Sequence, residues 1–209
     1  MPEKRYNLVA GQSRGRLAAL SDGVFAVAMT LLVLDLHAPL AETIHSERDL
    51  RAALLALAPR LLIYLMSFAT LGIFWVGQQT QLNLIERSTR DVTWVHLFFL
   101  AAVTLMPFST ALMAEFITLR TALLLYWANI ALLGLALFIS WRVAAACHVL
   151  EDADPDIISA IERRIVIAQS LYAIGAALCL LSTYLSIAVI VAIQLIYIIG
   201  PKRGPLSRI

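Results

Sequence analysis

The chain has 209 residues, 61% of them apolar and only 14% charged, with a formal net charge of +2 and a mean hydropathy of +0.83. An average soluble domain is about 45–50% apolar and about 25% charged, so this composition excludes a soluble enzyme and indicates an integral membrane protein. Each membrane helix consumes about 20 residues, so several spans fill the length and leave no room for a catalytic domain.

The opening MPEKRYNLVAGQSRGR is basic but lacks an apolar core followed by a small-residue cleavage site. No removable signal peptide is expected, and the first membrane helix does the targeting. That helix runs over Leu17 to Leu36. A second apolar stretch starts at Leu50 or Leu61 and reaches Gly77, with Pro59 read as a kink or a helix restart. The third covers Val92 to Met113, with Pro107 read the same way, and the fourth Thr121 to Trp141. The final run, Ile165 to Ile199, would be about 50 Å long as one helix, against a hydrocarbon core of about 30 Å. Two helices joined at Ser182, Thr183 and Tyr184 resolve the mismatch. The expected architecture is all-α, a single unit of six spans over approximately 17–36, 50–77, 92–113, 121–141, 165–181 and 184–200, without internal repeats.

Basic residues orient these spans. Lys4, Arg5, Arg14, Arg16, Arg87, Arg90, Arg142, Arg163, Arg164, Lys202, Arg203 and Arg208 fall on one side; Arg48, Arg51, Arg60 and Arg120 fall on the other. Twelve against four places both termini in the cytoplasm. The acidic run Glu151 to Asp156 then reads as a solvated cytoplasmic loop, since calcium-loop spacing is absent. Cys147 and Cys179 lie in or beside apolar segments and read as small hydrophobes. No cofactor, resident metal or nucleic-acid partner is expected.

Few polar groups enter the spans. Asp22 and His96 each lie about five residues in from the cytoplasmic end of their helices, so they share a level and invite pairing, with Gln78, Trp75 and Trp94 as further partners there. Such a pair serves either as structural glue or as a proton relay. No glycine-rich re-entrant loop of the potassium-filter kind appears, nor an arginine ladder, so any ion path is built from side chains. At about 100° per residue, Leu20, Gly23, Val27, Thr30, Leu31 and Leu34 share one slim stripe of the first helix. Ala18, Asp22, Phe25, Met29, Leu32 and Leu36 lie roughly opposite.

Arg16, Ser21 and Asp22, followed by GVFAVAMTLLVLDL, resemble the RxxxFSD motif and first helix of the endolysosomal potassium channel family, transmembrane protein 175, whose bacterial members have six helices. The second span, with Pro59, Tyr64, Ser67, Phe68 and Trp75, and the third, with Trp94 and MPFST at Met106 to Thr110, resemble the family's next two helices in order and spacing. The resemblance implies a homotetramer in the cell membrane whose first helices line a central pore for potassium. By position the family's apolar constriction falls on Val27, Leu31 and Leu34, and its pore threonine on Thr30, with Gly23 on the same stripe. Arg16, Ser21 and Asp22 would form the motif network near the cytoplasmic end, with Trp75 and His96 beside it. The chain departs from the pattern at Leu20, where the motif has an aromatic, at Gln78 and Gln79, where histidines are expected, and at His96, where asparagine is usual.

Three functions follow as expectations. The first is a tetrameric cation channel with moderate preference for potassium over sodium, gated by dewetting of its apolar rings. Asp35 either concentrates cations at the outer mouth or anchors the helix at the interface. A proton pathway or proton-coupled transporter using Asp22 and His96 is the alternative. A structural subunit without transport of its own is the third.

Overall fold

A computed structural model describes residues 13–150 and 155–200. Lys4, Arg5, Lys202, Arg203, Arg208 and the Glu151 to Asp154 part of the acidic run lie outside the described residues, as do both termini. Among the described residues the regular structure is helical, apart from one isolated antiparallel bridge between Ile85 and Leu150.

Helix α1, Arg14–Leu31, starts where the Ser13 hydroxyl accepts the Arg16 N–H. It tightens into a 3-10 turn over Leu32–Asp35, which extends the span to Asp35. The next helix, α2, Glu47–Ala56, is amphipathic and is capped by Ser46, whose hydroxyl accepts the Asp49 N–H. Leu50 therefore belongs to a separate short helix and not to the second span. Glu47, Arg48, Asp49 and Arg51 give that segment too much charge for the membrane interior. After Leu57 the chain restarts as α3, Ala58–Asn83, with Pro59 in the first turn, where its missing N–H costs no helix bond. Its far end passes Gly77 because Gln78 and Gln81 are buried and continue the helix.

Helix α4, Arg90–Thr104, is capped by Thr89 and breaks at Leu105; α5, Met106–Glu115, restarts with Pro107 in its first turn. Together they form one apolar length, Arg90–Glu115. Helix α6 covers Arg120–Ala146. Helix α7, Pro155–Ala177, ends in a 3-10 turn at Leu178–Leu180, and α8, Thr183–Ile199, restarts from a Ser182 cap. Helix α7 starts ten residues before Ile165 because its first turns are an amphipathic extension carrying Asp156, Glu162, Arg163 and Arg164. Among the described residues five lengths are long and apolar enough to cross a membrane, and α8 is a shorter apolar helix.

Helix α6 is the hub. Its Leu123, Tyr126, Ile130, Leu133 and Trp141 are fully buried against α4, α5 and α7. A hydroxyl and amide cluster crosses this core: Thr110 donates to Ser67 at 2.8 Å, Ser67 to the Tyr126 hydroxyl at 3.3 Å, and Gln194 to Thr70 at 2.7 Å, with Thr70 and Tyr126 3.2 Å apart. Buried hydroxyls need such partners. Tyr126→Phe leaves the buried Ser67 hydrogen without its acceptor, at a cost of about 1–3 kcal/mol. A lowered thermal unfolding midpoint with an unchanged helical circular-dichroism spectrum is the expected measurement.

The Arg14 end of the bundle has a second, smaller core of Leu17, Leu82, Ile85, Val92, Ala144 and Val149. The Arg14 guanidinium donates to the Ile85 carbonyl at 2.9 Å, and the Glu86 N–H donates to Val149 at 2.9 Å. The start of α1 is thereby stitched to two connectors.

Candidate functional site

Helix α1 lies at the edge of the bundle and presents two unlike faces. Phe25, Ala28 and Leu32 are buried against the neighbouring helices, whereas Val27 is 58% and Leu34 66% exposed. Gly23, Thr30 and Leu31 are exposed with them. A side chain at Gly23 would meet nothing within 4 Å. Leu20, Gly23, Val27 and Leu31 form one wall of a shallow apolar groove completed by Thr104, at the break between α4 and α5. The Thr30 hydroxyl donates to the Val27 carbonyl at 2.9 Å, so its oxygen lone pairs face outward. Thr104 is turned back on Ala101 in the same way, at 2.7 Å. The stripe read from the helical wheel is thus left uncovered by its own subunit. Uncovered apolar residues also occur on the other helices, as a membrane-embedded surface requires.

Asp35 is half-buried in the 3-10 turn, and the His37 Nδ1–H donates to its carbonyl at 3.1 Å.

Two hydrogen-bonded groups hold the other end of α1 against α3 and α4. Ser21 is fully buried, and its hydroxyl hydrogen goes to the Leu17 carbonyl at 2.8 Å. With its one hydrogen committed, the Ser21 oxygen accepts from His96 Nε2 at 2.7 Å and from Gln78 Nε2 at 3.3 Å. The imidazole therefore carries a proton on Nε2, and the 3.5 Å approach of Gln78 Nε2 to that nitrogen is a contact between donors. His96 also packs on Phe99, with ring centroids 5.9 Å apart. In the second group, Asp22 Oδ1 accepts from Trp75 Nε1 and from Gln79 Nε2, each at 2.8 Å. Trp75 and Gln79 are one turn apart on α3 and so reach the same carboxylate.

The expected pairing of Asp22 with His96 is corrected by this geometry. Both lie at one level, but adjacent residues on a helix diverge by about 100°, so Ser21 faces α4 and Asp22 faces α3. Arg16 stands exposed and its side chain bonds no described residue, and Trp94 is likewise exposed and without a hydrogen bond. Sequence reasoning missed Gln79 as the second donor to Asp22 and Arg14 as the tie to Ile85. The four-residue interval from Trp75 to Gln79 signals the first; nothing in the sequence signals the second. Among the described residues no group of three or more His, Cys, Asp or Glu is placed to hold a metal.

Residues 16–107 match the family model described as endosomal/lysosomal potassium channel TMEM175. A potassium channel of Chamaesiphon minutus is 33% identical over 180 residues, covering 84% of this chain and 88% of that protein. The human endosomal/lysosomal proton channel TMEM175 is 32% identical over 110 residues, which cover 49% of this chain but 21% of the human protein. The crystal structure of a lysosomal potassium-selective channel TMEM175 homolog from Chamaesiphon minutus superposes with a TM-score of 0.78 at 30% identity, covering 89% of this chain and 96% of that one.

Proposed function

The chain belongs to the TMEM175 potassium channel family, and we propose that it is a cation channel of the cell membrane, conducting potassium with moderate preference over sodium through a homotetrameric pore lined by four copies of α1. Its relatives are named as ion channels, not enzymes. The observation that carries the pore assignment is the uncovered stripe of Gly23, Val27, Thr30, Leu31 and Leu34, which α1 turns away from its own bundle while Phe25 and Leu32 anchor the helix behind it. Rings of Val27, Leu31 and Leu34 would form the constriction, Thr30 the one hydroxyl layer, and Asp35 the outer mouth. Apolar rings replace little of an ion's hydration, so selectivity is weaker than that of a carbonyl filter. Each subunit has six spans, α8 completing the set: its 17 residues reach about 25 Å at 1.5 Å per residue, close to the hydrocarbon thickness.

A second reading, a proton pathway, draws on the printed name of the human relative and on the buried Ser21, His96 and Gln78 group. Purified chain in liposomes separates the readings. Potassium gradients should drive flux faster than sodium gradients, with slower accompanying proton entry. Proton flux without potassium flux, or a monomer on cross-linking, would overturn the channel reading.

Both termini are expected in the cytoplasm. In a background lacking Cys147 and Cys179, cysteine at Lys202 should resist an impermeant external thiol reagent and cysteine at Glu42 should react with it. The reverse pattern would invert the bundle.

A further inference from the structure

We propose that α2 is an interfacial helix that seats a phospholipid, with Leu55 entering the acyl boundary and Arg48 and Arg51 holding the headgroup phosphate. The helix has ten residues and is joined through the single residue Leu57 to the membrane span that starts at Ala58, so it lies where that span leaves the hydrocarbon. Arg48, Arg51 and Leu55 follow one another at intervals of three and four residues and therefore share one face. Leu55 is 75% exposed on that face, at a point where a water-facing helix would carry a polar side chain.

Neither arginine hydrogen-bonds or ion-pairs with any described residue. Asp49 is engaged instead at the start of the helix, where it accepts the His45 N–H at 3.2 Å. Glu47, one turn from Arg51, makes no ion pair with it; the ion pairs among the described residues are Arg60 with Glu115 and Arg142 with Glu162. Two guanidinium groups one turn apart, above an exposed leucine, complement a phosphate above an acyl chain. Guanidinium groups bind phosphate through paired N–H donors, and their stems lie readily along apolar surface. The exposed apolar strip then continues along α3 through Leu61, Leu62 and Leu65, so the leucine of α2 extends a surface that the span already presents.

The test uses full-length chain lacking Cys147 and Cys179, spin-labelled at Leu55→Cys or, in a second variant, at Ala56→Cys, in phosphatidylcholine vesicles containing phosphatidylglycerol. At position 55 membrane-dissolved oxygen should relax the label more than a water-soluble nickel chelate does. At 56, about 100° around the helix, the preference should reverse. Adding Arg48→Gln with Arg51→Gln should abolish the oxygen preference at 55. Nickel accessibility at 55 in the parent would overturn the proposal. Shielding from both reagents with spin–spin broadening would also overturn it, assigning the face to a second copy of the chain. An oxygen preference unchanged by the arginine substitutions would overturn the phosphate assignment. Ala52→Cys, one turn before Leu55 and on the same face, repeats the measurement if labelling at 55 prevents folding.

Discussion

Leu31→Ala and Leu34→Ala raise potassium flux per tetramer and lower the ratio of potassium to sodium flux, whereas Phe25→Ala and Leu32→Ala lower the amount of folded protein. In the proposed tetramer each stripe position acts four times at one level of the pore, so one truncation widens a whole ring. A wider, less apolar ring wets more readily, and the gain is common to all small cations, which is why conduction rises and discrimination falls. Lowering the barrier by about 1.4 kcal/mol multiplies the rate about tenfold. Phe25 and Leu32 are each 1% exposed inside the subunit, and their truncation leaves cavities costing about 2–5 kcal/mol. The four substitutions all remove apolar volume, so hydrophobicity alone does not separate the pairs; only the face of α1 does. Liposome flux normalised to tetramer amount is the measurement. If the Leu31 and Leu34 variants merely lose stability as the Phe25 and Leu32 variants do, α1 does not line the pore.

Ser21→Ala should be the most damaging single-atom change at the Arg14 end of α1. Its oxygen is the acceptor shared by His96 Nε2 and Gln78 Nε2 in a fully buried position. Removing it strands two donors, each at a cost of about 1–3 kcal/mol. A fall in the unfolding midpoint and loss of the tetramer peak are expected, while surviving channels keep the parental potassium to sodium ratio. Asp22→Ala frees Trp75 and Gln79, which are not fully buried as His96 and Gln78 are, so it should lose assembly more mildly. Asp22→Asn keeps an acceptor oxygen and should be milder still. Thermal unfolding and size-exclusion profiles of the three variants provide the ranking. A Ser21→Ala channel with parental stability and altered selectivity would mean that this group belongs to the ion path.

Hydropathy alone located the long spans, because a membrane helix announces itself by composition over about 20 residues. The restarts at Pro59, Pro107 and Ser182 were also legible, since proline and serine act through local backbone chemistry. Boundaries were less so. Charge expelled Leu50 into α2, while the buried Gln78 and Gln81 let α3 run to Asn83, and neither effect is visible to a window that averages hydrophobicity. The pairing inside the network is legible in depth but not in azimuth: depth alone pairs Asp22 with His96, whereas its neighbour Ser21 takes the imidazole. The cluster of Ser67, Thr70, Thr110, Tyr126 and Gln194 was not legible as a cluster, because its members are assembled from four helices and no spacing within any one helix links them.

The stitching at the Arg14 end also has a mechanical meaning. Arg14, Leu17 and the Ile85 and Val149 connectors make a pivot for α1, whereas beyond Asp35 the chain passes into a connector held by short-range turns. The 22-residue span is about 33 Å long at 1.5 Å per residue. A lever of that length, tilted by roughly 5° about its anchored end, carries Leu34 about 3 Å sideways while Ser21 moves about 1 Å. Small strains at the connectors of the Arg14 end would thus be amplified toward the opposite rim, so that in the proposed tetramer the ring of Leu34 would change bore well before the polar seat around Ser21 had to yield.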